Sequence, residues 1–191
     1  MRIVAGEFRG RRLAAPEGRD IRPSSDRLRE TLFDILAHRF DGAVAGARVL
    51  DLFAGTGALG LEALSRGAAY CLFIEESVEG RGLIRQNVET LGLTGRTKIY
   101  RRDATRLGSL GGLPPFSLVF ADPPYGQSLG ETAILSALEG GWLEPGALAV
   151  LEERGSAEVA DLPGFELLDR RNVGDSQLIL WRAGPSAVAA S

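Results

Sequence analysis

Along residues 48–154, short apolar runs alternate with stretches of helical length and periodicity. "RVLDLFA" is apolar nearly throughout, the pattern of a strand covered on both faces. "YCLFIE", "TKIYRRD", "FSLVFADPPY" and "ALAVLEE" read as further strands. Between them, residues 57–66, "SVEGRGLIRQNVETLGL" and "ETAILSALEGGWL" read as helices. Gly80 and Gly82 weaken the second of these, and a turn at Pro145-Gly146 follows the third. Upstream, "RPSSDRLRETLFDILAHRF" sets Leu28, Leu32, Ile35 and Leu36 on one helical face. Ser24 or Ser25 can cap that helix, and Asp26 suits its positive first turn. The start, "RIVAGEFRGRRLAAP", is broken by Gly6 and Gly10 and reads as a small hairpin or extended arm. "FELLDRRNVGDSQLILWR" reads as two strands around a Gly-Asp turn, a hairpin rather than another crossover. "AGPSAVAAS" reads as a disordered tail.

This order predicts an α/β fold: a mostly parallel Rossmann-like sheet with helices on both faces and an antiparallel hairpin at the end. The organisation expected is an arm over 1–22, one domain over 23–182 and a tail over 183–191. In such sheets ligands bind outside the carboxyl ends of the strands. Asp51, Glu75, Asp103 and Asp122 all lie at or near such ends, so they are expected to converge on one crevice.

Composition narrows the chemistry. A chain of 191 residues, 45% apolar and 25% charged, suits one soluble domain. No apolar run is long enough to span a membrane, and "MRIVAGEFRGRRL" lacks the apolar core of a signal peptide. The lone Cys71 cannot form an intramolecular disulfide and reads as a buried, inert thiol in a reducing cytoplasm. With one cysteine and one histidine, His38, no protein-ligated metal is expected. The net charge of −3 is uneven: residues 1–29 sum to +4 and residues 30–191 to −7. A basic arm on an acidic body points to a polyanion at one end. Arg2, Arg9, Arg11 and Arg12, with Phe8 among them as a stacking face, are the candidate contacts to it.

The chemistry itself starts at "VLDLFAGTGALGLEAL". Gly55-x-Gly57-x-x-Gly60, with Glu75 twenty residues beyond Gly55, fits a dinucleotide fingerprint. Asp51 argues against that, because a carboxylate just before the loop repels a pyrophosphate. It suits a ligand with an ammonium group, and S-adenosylmethionine has one, along with a carboxylate for the loop amides and a ribose diol. Glu75, acceptor-only when ionised, can take both ribose hydroxyls. The candidate cofactor set is Asp51, Phe53, Gly55, Gly57, Glu75, Asp103 and Ala104, the last two placed to read an adenine edge. "DPPY" decides between the cofactors. Asp122 and the carbonyl of Pro123 can accept hydrogen bonds from an exocyclic amine and draw its nitrogen towards tetrahedral geometry. Pro123 and Pro124 stiffen the turn, and Tyr125 stacks on the base, its hydroxyl given no role. These four are the candidate catalytic residues, and nothing in that arrangement serves a hydride.

"VLDLFAGTGALGLEALSRGA", "FIEES" and "FADPPYG" together resemble the class I S-adenosylmethionine-dependent methyltransferases acting on amino nitrogens. With "RIVAGEFRGRRL" and "RPSSDRLRETLFDIL" ahead of them, the chain resembles the bacterial RsmD family, the 16S rRNA (guanine(966)-N(2))-methyltransferases, over residues 2 to about 182. The resemblance implies a seven-stranded sheet, methyl transfer to guanine N2 and S-adenosyl-L-homocysteine as product. It also implies a substrate presented within the assembling small ribosomal subunit, with no obligatory protein partner outside it and a monomeric enzyme. Ala5 departs from the family pattern, where a glycine is common. A DNA amino-methyltransferase acting on adenine N6 shares "DPPY", but at this length the chain lacks a domain to read a duplex. A non-catalytic RNA-binding module would not need Asp51, Glu75 and "DPPY" together.

Overall fold

A computed structural model describes residues 1–17 and 24–185. Seven strands form one sheet: β1 (Arg48–Leu52), β2 (Tyr70–Ile74), β3 (Thr97–Tyr100), β4 (Phe116–Ala121), β5 (Leu143–Arg154), β6 (Phe165–Val173) and β7 (Ser176–Ala183). Their order across the sheet is β3-β2-β1-β4-β5-β7-β6. β1 to β5 run parallel, and β7 pairs antiparallel with both β5 and β6. Four helices accompany it: α1 (Asp26–Arg39), α2 (Ala58–Ser65), α3 (Val78–Leu91) and α4 (Leu129–Glu139).

The unbroken apolar strands resolve into two faces because successive side chains point oppositely. Val49, Cys71, Phe73, Leu118, Phe120, Val150 and Leu180 enter one core with residues of α1, α2 and α3. Leu50, Leu52, Leu72, Ile74, Val119, Leu151 and Trp181 enter the other, covered by Ala133, Ile134 and Ala137 of α4. Cys71 is fully buried, and burial, with a smaller contribution from Asp51, pushes its thiol pKa well up.

α1 starts where expected, with the Ser25 hydroxyl accepting from the Leu28 amide. Leu28, Leu32, Ile35 and Leu36 are buried as a set. Three boundaries differ from the sequence pattern. α4 stops at Glu139, so Trp142 and Leu143 lie beyond the helix. β5 already begins at Leu143, and Pro145-Gly146 is an exposed irregularity inside it, matched by a register shift against β4 between Phe116 and Leu118. At the far end β7 runs through Ala183, one residue into the segment read as tail, because that side chain is buried in the core. The rest of the tail reading from residue 186, and residues 18–23 of the arm, lie outside the described residues.

The arm closes on itself through one antiparallel bridge, Arg2 to Arg12, and docks on the body. Glu62, buried in the mostly apolar α2, accepts from the amides of Val4 (2.9 Å) and Ala5 (3.0 Å) and pairs with Arg66. Ser65 donates to Ala5 O and accepts from the Phe8 amide. Asn87 of α3 bonds both the N–H and the C=O of Ala14, and it donates also to Thr56 O in the glycine loop. Ile3 and Leu13 join the first core cluster. Among the described residues no helix is long and apolar enough to cross a membrane.

Candidate active site

Four parallel strands ending on one edge of a sheet bring the residues that follow them together. β1 and β4 are neighbours, and the helices that follow them, α2 and α4, pack on opposite faces of the sheet, so a crevice opens at their carboxyl ends. A cavity of about 720 Å³ occupies that position.

The loop from β1 to α2 is tightly wound. Phe53 has φ 55° and Gly57 φ 81°. Gly57 takes that conformation without a Cβ penalty as the N-cap of α2, where no side chain caps the helix. Phe53 does not, and a non-glycine residue held there stores on the order of 1–3 kcal/mol of strain, a pattern that clusters at functional sites. Asp51, in β1 and 1% exposed, accepts from the Gly60 amide through Oδ2 at 3.0 Å. Burial pushes its pKa well above the usual carboxylate range; the Gly60 amide opposes that shift and the charge of Glu75 adds to it.

Glu75 follows β2 and folds back over the loop. Its Oε2 accepts from the Gly55 amide at 2.7 Å and its Oε1 from the Ser77 amide at 2.9 Å. Gly80 explains how it fits: a Cβ there would stand 2.7 Å from Glu75 Cγ and 2.8 Å from Cδ. The glycine that the sequence marks as a weak point of α3 is the space that the carboxylate uses, and α3 runs unbroken for 14 residues. Asp103 follows β3 and caps a short 3-10 turn, accepting from the Thr105 amide and hydroxyl. Those bonds hold its pKa below the ordinary value.

Asp122, Pro123, Pro124 and Tyr125 follow β4 and form the opposite wall. Two glutamates at the end of β5 brace this turn, neither of them singled out by the sequence. Glu153 Oε1 accepts from the Gly126 amide at 3.1 Å. Glu152 Oε1 accepts from the Tyr125 hydroxyl at 2.9 Å, and Ser176 of β7 lies 2.9 Å from the same hydroxyl. Burial, above all, pushes the Tyr125 pKa up to about 12. The phenol therefore has a role that the sequence did not disclose: it fixes the ring. The signal for both glutamates was present in "LEE", acids at the end of a fifth parallel strand.

The cavity wall thus includes Asp51, Phe53, Gly55, Glu75, Asp103, Ala104 and all four residues of "DPPY". Gly57 shapes the loop without lining it, and Arg2, Phe8, Arg9, Arg11 and Arg12 stand elsewhere on the arm. Phe8 is half-buried against the first core cluster, not offered as an open stacking face, because docking of the arm on α2 turns its backbone inward. Arg2 is ion-paired with Asp26, and Arg11 donates to Thr90 O. Arg9 and Arg12 are exposed. In "RTKIYRRDATR", residues 96–106, Arg96 and Arg102 donate to backbone carbonyls, while Arg101 and Arg106 are exposed. Among the described residues no group of His, Cys, Asp and Glu is arranged to hold a metal ion.

Residues 1–182 match the family described as conserved hypothetical protein 95. The ribosomal RNA small subunit methyltransferase D of Escherichia coli K12 is 37% identical, with 91% of this chain and 84% of the relative covered. That of Haemophilus influenzae is 34% identical, covering 91% and 89%. The solved structure of Escherichia coli yhhF superposes with a TM-score of 0.81 at 34% identity, over 97% of this chain and 98% of that one.

Proposed function

The chain belongs to the conserved hypothetical protein 95 family, the RsmD-type class I methyltransferases that use S-adenosylmethionine, and on that footing we propose that it methylates the exocyclic N2 amine of guanine 966 in 16S rRNA. The substrate is the RNA within assembling small ribosomal subunits, met by a monomeric enzyme in the cytoplasm. The observation that carries this reading is the meeting of Asp51, Glu75 and Asp103 with the Asp122–Tyr125 turn around one cavity.

The donor set fits the cofactor. Asp51 would answer its ammonium group, the loop amide of Thr56 its carboxylate, since those of Ala54, Gly55 and Gly57 bond within the protein, and Glu75 its ribose hydroxyls. Glu75 already accepts one amide on each oxygen, and each oxygen keeps a further lone pair for a hydroxyl. Asp103 and Ala104 would border its adenine. When bound, the cofactor supplies an electrophilic methyl on sulfur.

The protein's work is on the amine. Its nitrogen lone pair is delocalised into the base, so the free amine is a poor nucleophile. Asp122 and the Pro123 carbonyl accept its N–H groups, shift the nitrogen towards tetrahedral geometry and aim the lone pair. Tyr125 stacks on the base with its ring plane fixed by Glu152 and Ser176. Preorganised acceptors of this kind act without reorganising during the reaction. The arm holds the RNA backbone, with Arg9 and Arg12 as its open guanidinium groups.

Tritiated methyl transfer to small-subunit particles, free RNA and duplex DNA, run in parallel, tests the reading. Label on guanine N2 in the particles is expected. Label on DNA adenine would make the chain a DNA amino-methyltransferase, and RNA retention with no label anywhere would make it a binding module.

A further inference from the structure

Glu152 does more in this site than hold a tyrosine. β4 and β5 pair in parallel through Ala121 and Leu151, so Asp122 and Glu152 are the next residues on neighbouring strands, side by side at the cavity. Glu152 is 6% exposed. Its Oε1 is committed to the hydroxyls of Tyr125 (2.9 Å) and Ser176 (3.3 Å). Its Oε2 is buried and has no hydrogen-bond partner among the described residues. An ionised carboxylate only accepts, so the group that satisfies Oε2 has to be a donor, and a buried polar atom left unpaired is disfavoured. The two hydroxyls fix which oxygen is left over.

We infer that Glu152 is the base-selecting residue, accepting the ring N1–H of the target guanine through Oε2. This rests on the guanine-N2 reading above. Three nucleobases carry an exocyclic amine, and they differ at the ring nitrogen beside it. Guanine has N1–H next to its C2 amine. Adenine has a bare N1 lone pair next to its C6 amine, and cytosine a bare N3 lone pair next to its C4 amine. Two carboxylates on adjacent strand ends, Asp122 and Glu152, match two donors on adjacent positions of guanine. Presented with adenine or cytosine, Glu152 would face a lone pair and stay unsatisfied. A site built to bond a donor rejects an analogue lacking it far more strongly than a hydrophobic pocket does. The same residue thus anchors Tyr125 with one oxygen and reads the base with the other.

The test compares target RNA carrying guanine with the same RNA carrying 2-aminopurine at the methylated position, which keeps the C2 amine but has a bare N1. Wild-type protein is expected to label guanine at least about tenfold faster, the scale of one hydrogen bond to a charged group. Glu152→Gln offers a carboxamide N–H to N1, so the guanine rate should fall about tenfold or more and the preference collapse or invert. Calorimetric affinity for S-adenosylmethionine should not change. Tyr125→Phe removes an anchor of Glu152 but should keep the preference for guanine. If Glu152→Gln slows both RNAs equally and preserves that preference, Glu152 only positions Tyr125 and the inference falls, while guanine methylation stands. If wild-type protein labels both RNAs at one rate, the inference falls without any variant. Labelling of adenine instead of guanine would overturn the functional reading itself.

Discussion

Replacing Asp51 with asparagine should stabilise the cofactor-free protein at neutral pH and weaken S-adenosylmethionine binding. The physical reason is that the folded state raises the pKa of this buried carboxylate. A raised pKa contributes stability that is complete below the unfolded value of about 3.9 and is lost as pH rises through the folded one. Wild-type protein therefore loses stability as pH rises from acid towards neutral, and the amide, which does not titrate, keeps it. Thermal unfolding of both proteins from pH 4 to pH 8 should show melting temperatures that separate as pH rises; a gap independent of pH would contradict this. Cofactor affinity should fall about tenfold or more, as expected for one charge-assisted hydrogen bond. Tyr125 gives a second expectation. Tyr125→Phe removes a hydroxyl bonded to Glu152 and should slow turnover moderately, whereas Tyr125→Ala also removes stacking of about 1–3 kcal/mol and should be severe. Equal losses would put all the importance on the hydroxyl. Because the Tyr125 pKa is raised to about 12, its bonded hydroxyl contributes stability below the unfolded value of about 10 and loses it as pH rises through about 12. The phenylalanine variant should lack that alkaline loss.

Among the elements, the arm changes most between sequence and structure. Its run of arginines reads as one uniform basic surface, yet Arg2 and Arg11 are partly spent on the body and Phe8 packs inward. Charge density was legible in the sequence; the direction of each side chain was not, because it depends on Glu62, Ser65 and Asn87, which lie 50 to 80 residues further along. Arg9→Ala with Arg12→Ala should spare cofactor affinity, weaken binding to ribosomal particles and flatten its salt dependence. The log–log slope should fall by about 0.7–0.9 for each phosphate that is no longer neutralised. Affinities measured across a salt series decide it, and coincident slopes would place the RNA elsewhere. Glu62 itself had a signal: a lone acid in "ALGLEALS" cannot be buried without partners.

For the whole molecule, the alternation of elements and the strand-end acids were enough to draw the sheet and the crevice, because parallel topology leaves few other arrangements. The order of strands and the bracing of "DPPY" by β5 and β7 were not legible, since both depend on which strands become neighbours. The docking of the arm has a consequence for synthesis. Residues 1–14 leave the ribosome well before α3, but their anchors extend to Asn87 and Thr90. At about 5–20 residues per second, the arginine-rich start waits roughly 4–15 s for its last partner. During that interval α2 can already engage its backbone through Glu62 and Ser65, while its guanidinium groups stay a loosely held polycation until the arrival of α3 completes its place in the fold.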